Sequence, residues 1–360
     1  MRLRPSSRAS SKLEAIRQAN PIGLFEFAEC VLTVDDLTFD GQGRASREAG
    51  THRMEECMGD DLFPGFRSDR LKGPGGPLFA RVGGDGPPLV LLHGFPQTHV
   101  CWHRVAPALA KDFTVVCLDL RGYGASAAPR GDGRSTYSKR RMAEDVVAAM
   151  SELGHQRFSL AGHDRGARVG YRLGLDHPDR LERLALLDIV PTSIFWTQIR
   201  SGSFSAPHWT YLAGPSPQTE DEIGKDPVAY FDALLARWSS SGSLDAFDPR
   251  AHAAYRAAYM QPERIHAFCE DYRAGATSDV EADEADLAAG RSVACPTLLL
   301  WSSYLTRGEA AKAETPPQVW KRTFAPQAEE VQVDAGHFIP EEAPEATLAA
   351  LSAFFKAGAS

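Results

Sequence analysis

Six cysteines stand in 360 residues, at positions 30, 57, 101, 117, 269 and 295, and no two of them form a C-x-x-C pair. That spacing excludes the common zinc-ribbon and thioredoxin-like patterns, and Cys117 sits inside an apolar run, where a reduced thiol belongs. A disulfide-free, cytoplasmic protein is the expectation. No apolar stretch reaches the ~20 residues of a membrane-spanning helix. Walker and dinucleotide glycine fingerprints are also missing, so no metal, nucleotide or redox cofactor is expected. Positive charge is not in excess: 39 Lys and Arg face 47 Asp and Glu, a net charge of -8. That balance argues against nucleic acid or an anionic membrane as partner, but not against a small anionic substrate held by local arginines.

The first part of the chain has little of the globular pattern. Residues 1–17 are rich in Ser and Arg with no apolar h-region behind them, so no secretory signal is expected. Residues 1–65 read as a poorly ordered N-terminal extension, and Met54 and Met58 stand just before the globular pattern begins.

From about residue 77 short apolar runs alternate with amphipathic stretches. LVLLH at 89–93, FTVVCLD at 113–119, FSLA at 158–161, LALL at 184–187, PTLLLW at 296–301 and EEVQV at 329–333 read as strands. Helical spacing covers 100–111, 139–153, 165–176 and 343–355. This alternation predicts an α/β fold, a mostly parallel sheet with helices on both faces. Between 191 and 291 the strands stop and aromatics, Ser, Gly and Pro take over, which predicts a helical cap inserted into a core of residues 66–190 and 292–360.

The chemistry centres on GHDRG at 162–166, between a strand and a helix. G-x-D-x-G there is a nucleophile elbow with Asp164 in the serine's place. A carboxylate suits displacement at saturated carbon and leaves an alkyl ester, which a base-activated water must then cleave. His337, in DAGHFIP after the last strand, is the base candidate. The strand ending at Trp301 is followed by Ser302-Ser303-Tyr304 with no acid nearer than Glu309, so Asp188, at the end of the strand before the cap, is the better orienter of His337. The oxyanion hole falls to the backbone N–H groups of Phe95 and Arg165, and His93 reads as structural. Arg165 and Arg168 lie three apart on one helix, so their side chains can share a face. Two cations there are electrostatically unfavourable unless they meet an anion.

Several motifs together resemble the haloacetate dehalogenases, a family that includes fluoroacetate dehalogenases: YSKR at 137–140, GHDRGAR at 162–168, LDHP at 175–178, LDIVPT at 187–192 and HGFPQT at 93–98. The resemblance runs from about residue 66 to the C-terminus. It implies an α/β-hydrolase fold, hydrolytic dehalogenation of a small 2-haloacid, a carboxylate grip by Arg165 and Arg168, and a homodimer. It also implies halide donors from a cap His-Trp pair and a later tyrosine, which His208, Trp209 and Tyr272 match. Ser302 departs from the glycine that relatives often carry there, with no expected effect on the named chemistry. An epoxide hydrolase, which would use Tyr272 and Tyr211 as donors, and a non-catalytic binding protein of the same fold remain the alternatives.

Overall fold

The computed structural model describes residues 62–306 and 314–357. The N-terminal extension lies outside these residues except at its end, and there Leu62 and Phe63 are buried in the core. The globular body therefore begins slightly before residue 66. Glu309 also falls outside the described residues.

Eight strands form one sheet in the order β1-β2-β4-β3-β5-β6-β7-β8. β3 (Pro88–Leu92), β4 (Thr114–Leu118), β5 (Phe158–His163) and β6 (Leu181–Leu187) are apolar on both faces and almost wholly buried, as parallel strands covered by helices must be. β7 (Thr297–Ser302) and β8 (Glu329–Val333) extend the parallel set, with Leu186 opposite Leu299 and Leu300 opposite Val331. β1 (Arg67–Gly73) and β2 (Gly76–Gly83) form an antiparallel hairpin at the other edge. Sequence periodicity misses this hairpin because β1, a polar edge strand, buries only Leu71 well.

α1 (Lys139–Glu152) and α2 (Arg165–Asp176) pack beside the sheet. The helix expected over 100–111 is instead a 3-10 turn at His99–Trp102 and a single α-turn at Ala106–Leu109. Pro107, which lacks an N–H to donate, starts the second turn and cannot continue the first.

Between β6 and β7 the described residues form helices only: α3 (Thr192–Arg200), α4 (Pro207–Leu212), α5 (Gln218–Ile223), α6 (Pro227–Trp238), α7 (Pro249–Tyr259), α8 (Pro262–Ala276) and α9 (Ser278–Ala288). Four of them, α4 and α6 to α8, carry Pro in the first turn, α6 and α7 with an Asp cap as well, local signals that start a helix without help from a core. Phe95 joins this insertion to the sheet, its ring meeting Phe231, Trp238, Phe268 and Tyr272 at centroid distances of 5.1 to 6.1 Å. α10 (Pro344–Lys356) closes the fold. No described helix is long and apolar enough to cross a membrane.

Candidate active site

The carboxyl ends of β5, β6, β7 and β8 bring the site together. Asp164 sits in the turn between β5 and α2 with φ 44° and ψ -112°, a conformation unusual for a side chain bearing a Cβ. Such strain costs ~1–3 kcal/mol and persists only where the surroundings enforce it. Here they do: a Cβ on Gly166 would stand 2.5 Å from the Leu92 carbonyl oxygen, and one on Gly94 would stand 2.7 Å from the Asp164 Cβ. Only glycines let the elbow approach β3 so closely. Asp164 does not cap its helix with its side chain, and its Oδ2 is buried without a hydrogen-bond partner.

His337 stands across from it. Its Nδ1 donates to Asp188 Oδ2 at 2.7 Å, and its Nε2 lies 3.7 Å from Asp164 Oδ1, an ion-pair distance too long for a hydrogen bond. Asp188 also has a positive φ, 58°, and its other oxygen accepts the Ser302 N–H at 2.8 Å and the Ser302 hydroxyl at 2.7 Å. Ser302, expected to leave the chemistry untouched, therefore helps to hold the orienting acid. A glycine could offer only the N–H.

The His337 loop is tied on every side. The His337 N–H donates to the Trp238 carbonyl at 2.8 Å, so the end of α6 holds the backbone of the base candidate. The His337 carbonyl accepts from His163 Nε2 at 2.8 Å, and Glu342 accepts the N–H groups of Gly336, Phe338 and Ser240. Neither His163 nor Glu342 was marked by sequence reasoning. A histidine before the elbow and a glutamate after the loop carry no pattern of their own, and only the fold brings them to this loop.

Electrostatics divide the pair. Burial opposes charge on both, yet the His337 imidazole, helped by Arg165 and Arg168, holds the Asp164 carboxyl well below the usual carboxylate range. Burial would likewise lower His337, but the carboxylates of Asp164 and Asp188 outweigh it and raise the imidazole to about 10. The free site thus holds an ionised Asp164 and a protonated His337. His163, by contrast, is pushed down by burial to about 4 and stays neutral.

Both arginines are buried. Arg168 donates one amino group to the Val190 carbonyl at 3.0 Å and to the Thr192 hydroxyl at 3.1 Å. Arg165 makes no side-chain hydrogen bond: all three of its nitrogens are buried without a partner. Among the described residues its ion-pair partner is Asp271, 3.6 Å from Nε, which itself accepts from Tyr123 and pairs with Lys139 of the YSKR motif. The guanidinium carbon of Arg165 lies 3.5 Å from the Tyr272 ring centroid and 4.8 Å from that of Trp209, and that of Arg168 lies 4.7 Å from Trp209. The shared face expected from their spacing is present.

His208, Trp209 and Tyr272 converge, with mutual ring-centroid distances of 5.6, 6.1 and 6.5 Å. Burial drives the His208 imidazole down to about 3, aided by Arg165, His337 and Arg237 and opposed by Asp164, so its ring is neutral. With Asp164, Arg168, Asp188 and His337 these three line a cavity of about 80 Å³. That is far below the ~300–1,000 Å³ of pockets for drug-sized ligands. Tyr211 is not among the lining residues: it is 41% exposed and its ring meets Tyr230.

Two N–H groups remain beside the elbow. The Gly166 N–H donates to the His93 carbonyl and the Gln97 N–H to the Gly94 carbonyl, while among the described residues those of Phe95 and Arg165 have no backbone acceptor. His93 is structural, as expected: Nδ1 donates to the Gly94 carbonyl at 2.9 Å and Nε2 accepts the Leu120 N–H at 3.0 Å. Among the described residues one other cluster, Glu220, His266 and Glu270, has metal-ligand residue types. Its groups are already committed to Arg273, to one another and to the N–H groups of Gly131 and Gly133.

A strained elbow at a strand end, an acid–histidine pair and an eight-stranded sheet of this order define a hydrolase of the α/β class. The α/β-hydrolase fold model matches residues 87–344, and the chain belongs to that superfamily. Within it, the chain belongs to the haloacetate dehalogenase family, being 42% identical to the fluoroacetate dehalogenase of a Burkholderia sp. over 76% of this chain and 88% of that one. A soluble epoxide hydrolase of Corynebacterium sp. (strain C12) is 32% identical over 76% of this chain and 91% of its own length. Among solved structures, a Pseudomonas aeruginosa protein described as a candidate epoxide hydrolase, in a mutant form with bound MFA, is 43% identical, with a TM-score of 0.75 over 82% of this chain and 97% of that one.

Proposed function

We propose that the protein hydrolyses a small 2-haloacid, fluoroacetate or chloroacetate, to glycolate and halide through an ester on Asp164. The observation that carries this reading is the arginine pair: Arg168 lines the cavity beside Asp164, and the buried Arg165 guanidinium, itself outside the cavity lining, has three nitrogens without a hydrogen-bond partner, an arrangement that calls for an anionic ligand. Similarity to a fluoroacetate dehalogenase supports the same choice.

In the first step Asp164 Oδ2, buried and unpartnered, attacks the α-carbon while Arg165 and Arg168 hold the carboxylate. A C–O bond forms, the carbon–halogen bond breaks, and the electron pair leaves with the halide. The halide meets the N–H groups of His208 and Trp209 and the Tyr272 hydroxyl. A neutral His208 can donate one N–H, and the cations against Trp209 and Tyr272 polarise those rings toward donation. Ester formation removes the Asp164 charge that supports the proton on His337, so that proton passes to solvent, the one acid equivalent the reaction releases, and His337 becomes a base. It then takes a proton from water attacking the Asp164 carbonyl carbon, with Asp188 orienting it and the N–H groups of Phe95 and Arg165 receiving the oxyanion. As the ester C–O bond breaks, His337 returns that proton to the glycolate oxygen, and the proton left on the Asp164 carboxyl passes to His337, which restores the carboxylate and the protonated imidazole.

The epoxide reading wants two cap tyrosines over the nucleophile, and Tyr211 lies outside the cavity. It also gives the buried Arg165–Arg168 pair no task. Halide release from fluoroacetate and chloroacetate, measured beside diol formation from a small epoxide, tests the proposal. Diol formation without halide release would overturn it, and stoichiometric binding without turnover would favour a non-catalytic protein. A homodimer is proposed on family grounds and is checked by sedimentation.

A further inference from the structure

Arg237 lies in the last turn of α6, next to Trp238, and its side chain is exposed. A cation there suits the helix dipole, so its presence alone says little. Two observations set it apart. It lines the same cavity as Asp164, Arg168, His208 and His337, at the solvent side, whereas Arg168 is buried. Among the described residues no carboxylate pairs with it, whereas exposed arginines such as Arg134, Arg140 and Arg322 hold one.

The charge around it gives this freedom a use. The protein as a whole carries -8 and repels an approaching anion at long range. Inside, the two cavity carboxylates, Asp164 and Asp188, oppose the positive charge of Arg168 and the protonated His337. Arg165 is largely offset by Asp271 behind it. The inner site is therefore nearly balanced, and Arg237 is the charge that can tip the mouth positive. Being exposed, it can meet a carboxylate before that carboxylate loses its water.

We propose that Arg237 is an access and specificity residue that draws small carboxylate anions into the cavity before the two buried arginines take them over. It touches no reacting atom. The inference rests on the haloacid reading and extends it to the way substrate arrives.

The test uses the full chain with Arg237→Gln, Arg237→Glu and Arg237→Lys, and two measurements. Steady-state chloroacetate turnover is followed from low to high ionic strength, and glycolate is titrated by tryptophan fluorescence, since Trp209 and Trp238 line the cavity. Arg237→Gln is expected to raise KM and the glycolate Kd roughly three- to ten-fold at low salt, the scale of one partly screened charge. The kcat should hold within about two-fold, as for lost uniform binding. The salt dependence should flatten, Arg237→Glu should be worse, Arg237→Lys should restore the wild-type behaviour, and neutral chloroacetamide should be indifferent to all three. Unchanged KM, Kd and salt slope in Arg237→Gln would overturn the inference, as would an equal loss with chloroacetamide, which would mean packing and not charge. Glycolate binding tests Arg237 even if no halide is released, so failure of the haloacid reading is distinguishable from failure of this one.

Discussion

The two halves of the site are built by opposite means. On the base side every polar group of His337 and Asp188 except the reacting Nε2 is tied to protein: Asp188 holds His337 and Ser302, and the His337 backbone is bonded to Trp238 and His163. On the anion side Arg165 has no hydrogen bond and is held by one carboxylate and two aromatic faces. Orientation is what a general base needs, and a network of bonds supplies it. A grip needs donors left free, so its position is fixed by charge and stacking, which consume none of them. Function is thus written in which groups are bonded and which are not.

Variants can break this contrast at several strengths. Asp164→Ala, which removes the group both halves serve, should abolish halide release altogether in an ion-selective electrode assay. His337→Asn should leave the first step intact and stop the second, so that intact-protein mass spectrometry finds one glycolyl ester per chain; an unmodified chain after substrate exposure would sink the two-step mechanism. Arg168→Lys should raise KM about 10-fold or more with less effect on kcat, because an ammonium cannot reproduce a planar fork, and near-wild-type KM would remove Arg168 from the grip. Ser302→Ala, which takes one of three donors from Asp188, should cost about 1 kcal/mol and hence about five-fold, read as slower ester hydrolysis in single turnover.

Stability against pH sharpens the same contrast. His337 is raised from 6.5 to about 10 in the folded protein, so its contribution is fully present below about pH 6.5 and is lost as pH rises through about 10. Melting temperature should fall across that window in the wild type and fall less in Asp188→Asn. Equal slopes in the two proteins would show that Asp188 does not hold the proton on His337.

Much of the site was legible because its chemistry is local. The elbow glycines, Asp164 and the arginines three apart share one turn, and strand ends announce Asp188 and His337. The β1–β2 hairpin was not legible, since an edge strand with one well-buried residue has no strong period. Nor was the broken helix at 100–111, where apolar spacing survives in two separate turns. Ser302, His163, Glu342 and Asp271 escaped for a common reason. Each acts on a residue distant in sequence, and a single chain read alone contains no sign of which distant residues meet.

The bond from the His337 N–H to the Trp238 carbonyl has a consequence for engineering. The insertion between β6 and β7 is not an interchangeable module that sets substrate choice while the sheet keeps the chemistry. A chimera that borrows this segment from a relative must also deliver a carbonyl at that point, or the new enzyme inherits a pocket and loses its base.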